Sequence, residues 1–383
     1  VKRRRICVMA SSRATYGYKR RIMRLIHESE AMQLQVVVTG MHLLPAYGST
    51  IREIEEDGLP ISAKVDMMIG GDSPAVWAKS LGVEMQGLAQ VLEVLKPDIL
   101  VVTGDRGEMF AAAATAAYMN IPVAHIQAGD LSGHIDGSAR HAITKLSHIH
   151  FASCDDSARR VERLGEEPWR IFNVGAPQLD DLLEEERYSR DELMRIFGVD
   201  FDTPPVVVIQ HPILAEAEDA CPQMTETMEA IRALALPTIV IYPNADAGNQ
   251  KIISIIDAYA YLPFISTHRN LQRKLFASLL ANASVLVGNS SCGILEAPSF
   301  KLAAVNIGNR QRGRMQACNV LDVGHDQKAI VEAIRTARDD DAFSARLAKC
   351  VNPYGDGQSS QRIVGVLGTV ELGKKLLDKT MTY

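Results

Sequence analysis

The feature that most constrains this chain is an alternation. Short runs rich in β-branched residues, "RRICVMA", "LQVVVTG", "DILVVTG", "IPVAHIQ", "HIHFASC" and "RIFNVG", recur through the first half, and all but the last are followed by a helical pattern. Apolar runs of this length separated by helices are strands buried on both faces, so the units are βαβ crossovers and the sheet is parallel. The second half repeats the arrangement with "PVVVIQHP", "TIVIYPN", "LPFIST", "SVLVGNS" and "LAAVNIG". A chain of 383 residues, 47% of them apolar, is long enough for two cores, one in each half. The expected fold class is therefore α/β with two doubly wound domains, residues 1–177 and 178–358. The charged, strand-free "DDLLEEERYSRDELMRIFGVDFDTPP" predicts a helical connection at their boundary, and residues 359–383, after the turn-rich "NPYGDG", predict a last helix packed on one of them.

Composition narrows the function. A net charge of -5, with acids and bases scattered, provides no basic stripe for a phosphate backbone or an anionic membrane surface, so neither nucleic acid nor membrane is an expected partner. The opening "VKRRRICVMASSRA" imitates a secretory signal, but "ICVMA" is too short for its apolar region and predicts a buried first strand instead. No apolar run approaches the roughly 20 residues that span a bilayer, and a cytoplasmic protein is expected. The six cysteines form no C-x-x-C pair and no zinc spacing with histidine, which predicts reduced thiols and no structural metal. No G-x-G-x-x-G follows the first strand and no P-loop occurs, so neither a dinucleotide cofactor nor P-loop phosphoryl transfer is expected.

Ligands of open parallel sheets bind beyond the carboxyl ends of the strands. Five such loops carry unusual residues and are expected to face one cleft between the domains: "SSRATYGY", "GDRGE", "QAGDLSGHIDGSARH", "QHP" and "GNSSCGILEAP". Ser290 or Ser291 caps a helix whose start makes an anion site, with Gly293 letting a phosphate approach; an ordinary serine cap explains the same residues. Glu296, one turn on, suits paired sugar hydroxyls. Arg13, Arg310 and Arg314 suit a diphosphate, although each alone also reads as a surface ion pair. His211 is either a phosphate donor and proton carrier or hydrogen-bonded structure. Asp105 and Arg106 are adjacent, so they either neutralise each other or serve the site. Asp130 reads first as an Asx turn, and Asp136 as the N-cap of "SARHAITKLSH", as a catalyst, or as both. One of Arg140 and His141 shares the face of Asp136.

In this order, "RATYGY", "GMHLLPAYGST", "KPDILVVTGDR", "SGHIDGSARHAITKLSH", "QHP", "YPNADAG", "GNSSCGILEAP", "NIGNRQRGR" and "YGDG" resemble the hydrolysing UDP-N-acetylglucosamine 2-epimerases of sialic acid synthesis over nearly the whole chain. The resemblance implies two Rossmann-like domains facing each other across a cleft, the GT-B fold, with the last helix returned to the first domain. It implies conversion of UDP-N-acetylglucosamine to N-acetylmannosamine and UDP, through elimination of UDP to a 2-acetamidoglucal and addition of water. By the same resemblance Arg13, His211, Asn244, Ser290, Ser291, Glu296 and Arg310 hold UDP, with Glu296 on the ribose. Asp105, Asp136 and Arg140 stand at the sugar, and Arg106 near the phosphates. No metal or cofactor is implied, because arginines and a helix start carry the diphosphate charge, and the oligomer implied is a homodimer or homotetramer.

Two positions depart from the pattern. Thr15 stands for the aspartate of R-A-D-Y, and Gln127 for the glutamate of H-I-E-G-G-E. An amide takes no proton at neutral pH, so the base passes to Asp105, Asp130 or Asp136, or the substrate differs. The related branch acting on UDP-2,4-diacetamido-2,4,6-trideoxyglucose, for legionaminic acid synthesis, fits the second option. A GT-B glycosyltransferase and a UDP-sugar-binding protein without catalysis remain as alternatives. A non-hydrolysing epimerase reads G-T-R-P-E where this chain has "SSRATYGY".

Overall fold

The computed structural model describes residues 3–45, 50–70, 73–131, 134–213, 216, 218–243 and 248–382, with every side chain among them except those of residues 13, 14, 74 and 134. The strands are β1 Arg4–Ala10, β2 Met32–Thr39, β3 Ile61–Val65, β4 Ile99–Thr103, β5 Val123–Ile126, β6 Ile149–Ala152 and β7 Ile171–Asn173 in the first half. The second half contributes β8 Val206–Ile209, β9 Thr238–Ile241, β10 Ile265–His268, β11 Val285–Gly288, β12 Ala303–Ile307 and β13 Val320–Val323. They form a seven-stranded sheet, β3-β2-β1-β4-β5-β6-β7, and a six-stranded sheet, β10-β9-β8-β11-β12-β13. Every pairing is parallel. Both orders reverse direction beside their first strand, at β1/β4 and β8/β11, which is where a doubly wound sheet opens a crevice.

Two strands lie outside those that the sequence predicts. β3 and β13 are edge strands, only partly buried, and "ISAKV" and "VLDV" carry the charge that an open edge tolerates. Strands buried on both faces give the clear apolar runs. In β1, Ile6, Val8 and Ala10 enter one core cluster, and Cys7 and Met9 enter the cluster on the opposite face. Val206 and Val208 of β8 likewise face one core, and Val207 and Ile209 the other.

The chain divides into two compact units, residues 1–181 with 354–383, and residues 182–353. The charged connection holds two helices, Gln178–Glu184 and Arg190–Phe197; the second opens on a capping box between Ser189 and Glu192. The last helix is shorter than residues 359–383. It runs Ser359–Thr369 and stops before Gly373, whose φ of 145° continues no helix, and only a short turn, Lys374–Leu377, follows. This segment belongs to the first unit. Ile363, Leu367 and Leu376 pack with Ile22, Met23 and Ile26, from the helix Arg20–Glu28. Arg170 donates to the carbonyls of Leu376 (2.6 Å), Lys375 (3.0 Å) and Asp378 (2.9 Å), and Lys379 to those of Lys145 and Ser147 (2.7 and 2.6 Å). Among the described residues no helix is long and apolar enough to cross a membrane.

The helix Ser359–Thr369 starts on a distant cap. Asp180, fully buried, accepts from the backbone N–H groups of Ser359 (3.1 Å) and Ser360 (2.5 Å). Asp180→Ala removes both acceptors and is expected to destabilise the protein by about 1–2 kcal/mol, the cost of a lost cap, read as a lower midpoint in thermal or urea unfolding.

Candidate functional site

In the first unit three loops leave the carboxyl ends of β1, β4 and β5. After β1, Ser12 caps the short helix Arg13–Gly17, and the Thr15 hydroxyl donates back to the Ser12 carbonyl at 3.0 Å. Thr15 thus closes a local turn. The Arg13 side chain lies outside the described residues. After β4, Gly104 turns with φ +80° and presents Asp105 and Arg106. The two do not serve chiefly to neutralise each other. Arg106 precedes the helix Gly107–Tyr118 and its guanidinium grips Glu108 with three contacts of 3.0–3.2 Å, whereas Asp105 pairs with Arg140 from the helix His134–Leu146.

After β5, Gln127 adopts φ +64°, a left-handed conformation that costs a side-chain-bearing residue about 1–2 kcal/mol. Its carbonyl accepts from Arg140 Nη1 at 2.8 Å, so one guanidinium ties together the ends of β4 and β5. Asp130 accepts from Ser153 (3.0 Å) and Ser157 (2.7 Å), which makes it a loop anchor. Asp136 is not the N-cap. The helix begins two residues earlier, at His134, so Asp136 lies exposed in its first turn, four residues before Arg140 and on its face.

Beneath these loops lies a buried cluster of charges. Glu108, Lys19 and Glu84 are all 0% exposed. Lys19 donates to the Met9 carbonyl; burial lowers its pKa to about 7 against the opposing pull of Glu108. Burial, and then the charge of Glu108, pushes Glu84 up to about 9, so at neutral pH its carboxyl carries a proton. Glu108 is the carboxylate that balances the cations Lys19 and Arg106.

The second unit organises its loops around Asn289. Its side-chain oxygen accepts from the His211 N–H (2.7 Å) and its amide donates to the His211 carbonyl (2.8 Å), while its own carbonyl accepts from Gln311 (2.8 Å) and Arg310 (3.2 Å). Asn289 therefore bolts together the loops after β8, β11 and β12. Gly288 precedes it at φ +127°, where a Cβ would stand 2.2 Å from the Ile209 carbonyl oxygen. The helix after Asn289 is a single turn, Cys292–Leu295, with Ser291 at the cap position and the Ser290 hydroxyl accepting from Cys292 N at 3.4 Å. So short a helix adds little dipole, and the anion reading rests on the N–H groups and arginines. At Gly293 a Cβ would meet Ala304 and Leu286 at 3.2 and 3.3 Å, so packing against the sheet by itself favours a glycine there.

Glu296 ends that turn, half-buried as a residue, with its Oε2 enclosed and without a hydrogen-bond partner among the described residues. Burial pushes its pKa up to about 7, opposed by its own backbone N–H and by the charges of Arg273 and Arg314. A buried carboxyl oxygen without a donor is costly alone and suits a hydroxyl-bearing ligand. Asn244 lies outside the described residues.

Glu108, Lys19, Glu84 and Asn289 escape the sequence reading for different reasons. Glu108 opens an otherwise apolar "MFAAAATAAY" helix, and a lone acid there was the available signal. Lys19 hides in the basic run "KRR", and Glu84 in a helix with ordinary polar neighbours. Asn289 stands beside the two serines that drew attention.

A family model described as UDP-N-acetylglucosamine 2-epimerase matches residues 24–368. The chain belongs to that family. A relative in Legionella pneumophila, "UDP-N,N'-diacetylbacillosamine 2-epimerase (hydrolyzing)", is 38% identical over 99% of this chain and 100% of its own. A polysialic acid biosynthesis protein of Escherichia coli, P7, is 33% identical over 92% of this chain and 90% of its own. Among solved structures, the UDP-GlcNAc 2-epimerase of Neisseria meningitidis bound to UDP-GlcNAc superposes with a TM-score of 0.81 at 18% identity, covering 95% of this chain and 99% of that one. The two parallel sheets of this family member thus follow the GT-B-like architecture.

The buried charges of this 2-epimerase family member give a contrast. Glu108→Gln removes the carboxylate that the one-third exposed Arg106 grips and the negative charge near Lys19, and is expected to cost about 1–3 kcal/mol, the range for leaving one partner of a charged hydrogen bond unsatisfied. Glu84→Gln replaces a carboxyl that is already protonated and is expected to cost less than about 1 kcal/mol. Urea unfolding at neutral pH measures both, and equal costs would contradict the assignment of charge.

Proposed function

We propose that this hydrolysing 2-epimerase of UDP-acetamido sugars acts on UDP-2,4-diacetamido-2,4,6-trideoxyglucose, releasing UDP and the free sugar inverted at C2. The observation that carries the reading is the 38% identity, over full length, to a UDP-N,N'-diacetylbacillosamine 2-epimerase, whose named sugar is a 2,4-diacetamido-2,4,6-trideoxyhexose. A Campylobacter jejuni relative, named for GDP- or UDP-linked diacetylbacillosamine, is 31% identical over 84% of this chain and supports the same choice. UDP-N-acetylglucosamine, the first expectation from sequence, stands second: its named Neisseria meningitidis 2-epimerase is 29% identical over 87% of this chain.

The chemistry follows from the sugar. Its C2–H is not beside a carbonyl, so a free carbanion there is too costly, and the C1–O bond to the diphosphate stretches first. Positive charge at C1 then acidifies C2. A base removes the C2 proton as UDP leaves with the bonding pair, giving a 2-acetamidoglucal; water then adds hydroxyl to C1 while a proton returns to C2 on the opposite face. In this reading Arg13, Arg310, Arg314, Ser290, Ser291 and His211 hold the leaving diphosphate, Asn244 helps to seat UDP, and Glu296 takes the ribose hydroxyls. Asp105 and Asp136 share the two proton transfers, Arg140 holds Asp105, and Arg106 supports the phosphate end. Gln127 takes no proton, but its amide both donates and accepts, as an acetamido group does.

Proton NMR in heavy water, with the diacetamido donor and UDP-N-acetylglucosamine supplied separately, tests this. Free UDP and C2-deuterated sugar are expected from both, with the larger kcat/KM for the diacetamido donor; product without deuterium at C2 would overturn the mechanism. Asp105→Asn and Asp136→Asn are each expected to lower kcat by about 100-fold or more. Gln127→Glu is expected to shift the ratio of kcat/KM toward UDP-N-acetylglucosamine by about tenfold, roughly one hydrogen-bonding difference.

A further inference from the structure

His125 lies in the middle of β5, between Ala124 and Ile126, with no exposed surface. An apolar side chain would fill such a place. The imidazole instead reaches two elements that carry the site. Nε2 lies 2.8 Å from the Gly104 carbonyl, in the peptide that leads into Asp105, and Nδ1 lies 3.1 Å from the Thr144 hydroxyl. Thr144, also fully buried, is 3.0 Å from the Arg140 carbonyl. The Arg140 guanidinium in turn holds Asp105 and the Gln127 carbonyl.

The tautomer follows from these partners. Burial lowers the His125 pKa to about 3; the bond to Gly104 opposes that, and the charges of Arg140, His150 and His141 add to it. The ring is neutral at physiological pH and carries one proton. The Gly104 carbonyl only accepts, so Nε2 holds that proton and Nδ1 accepts from the Thr144 hydroxyl, whose single hydrogen then turns to the ring from the Arg140 carbonyl 3.0 Å away.

We propose that His125 is a positioning residue for the epimerase reaction: its Nε2–H fixes the left-handed turn at Gly104 that aims Asp105, and its Nδ1 fixes the helix from which Arg140 reaches Asp105. The loop needs such support. Gly104, at φ +80°, has no Cβ to confine its backbone, and Gln127, at φ +64°, holds a conformation that costs a side-chain-bearing residue, so neither strand end is fixed by its own preferences. The inference rests on the reading of Asp105 as a proton-transfer group.

Two substitutions separate this role from simple filling of the core. Glutamine extends an amide N–H to about the Nε2 position, whereas asparagine reaches only that of Nδ1. His125→Gln is expected to keep kcat within about threefold of the wild type. His125→Asn is expected to lose about 10–100-fold in kcat, the scale of a small misplacement of a reacting group. KM and UDP affinity by calorimetry should stay within about twofold. On an Asp105→Asn background the same His125→Asn change should cost little more, because the loop then aims nothing. Equal kcat in the two variants, or additive losses with Asp105→Asn, would overturn the proposal. Should His125→Asn fail to fold, Thr144→Val decides: a kcat about 3–10-fold down is expected, and an unchanged kcat overturns the role. Wild-type protein that releases UDP from neither donor would instead sink the substrate reading, so the two failures are distinguishable.

Discussion

Parallel pairing is the constraint on which everything else rests. A parallel strand cannot be joined to its neighbour by a tight turn, so each connection crosses a face of the sheet, and all strands finish at one edge. The loops after β1, β4 and β5 emerge together in one unit, and those after β8, β11 and β12 in the other. Chemistry scattered through the sequence is gathered by topology before any side chain interacts. What remains is to stop loops at a common edge from moving independently. The first unit does this with a guanidinium, Arg140, and the second with an amide, Asn289; each side chain reaches across loops to bond backbone.

The charge below the first set of loops obeys a stricter rule. A buried cation such as Lys19 needs a carboxylate, and a second carboxylate nearby must then give up its charge. Glu108 and Glu84 divide these tasks by position alone. Glu108 lies against Arg106 and near Lys19, whereas Glu84 has mainly Glu108 for electrostatic company.

The architecture was legible in the sequence wherever strands are buried on both faces, because a mostly apolar run marks them even where a buried histidine such as His125 interrupts it. It was not legible at β3 and β13, where an open edge admits lysine and aspartate. For the site, residue types were legible and partners were not. Asp105 beside Arg106 invited pairing along the chain, but a turn at Gly104 and a helix start at Gly107 send the two side chains to Arg140 and Glu108 instead. Gly293 read as space for a ligand, and the packing of Ala304 and Leu286 gives it a second reason, since a glycine demanded by packing looks the same in sequence as one demanded by a phosphate. Asp136 missed the cap by the small boundary shift that helix starts commonly show.

The return of the chain to the first unit bears on the order in which the molecule is made. Residues 182–353 are continuous and contain their own sheet and both of its cores, so that unit has all its parts once they have emerged. The first unit does not. Ile22, Met23 and Ile26 emerge first, and Ile363, Leu367 and Leu376, which cover them, follow only after the whole of residues 182–353. At the pace of translation, about 5–20 residues per second, that apolar face waits on the order of tens of seconds for its cover. Residues 182–353 are thus the first of the two units that can finish folding, and the unit bearing Asp105 and Arg140 is the one exposed to premature association while it waits for residues 354–383.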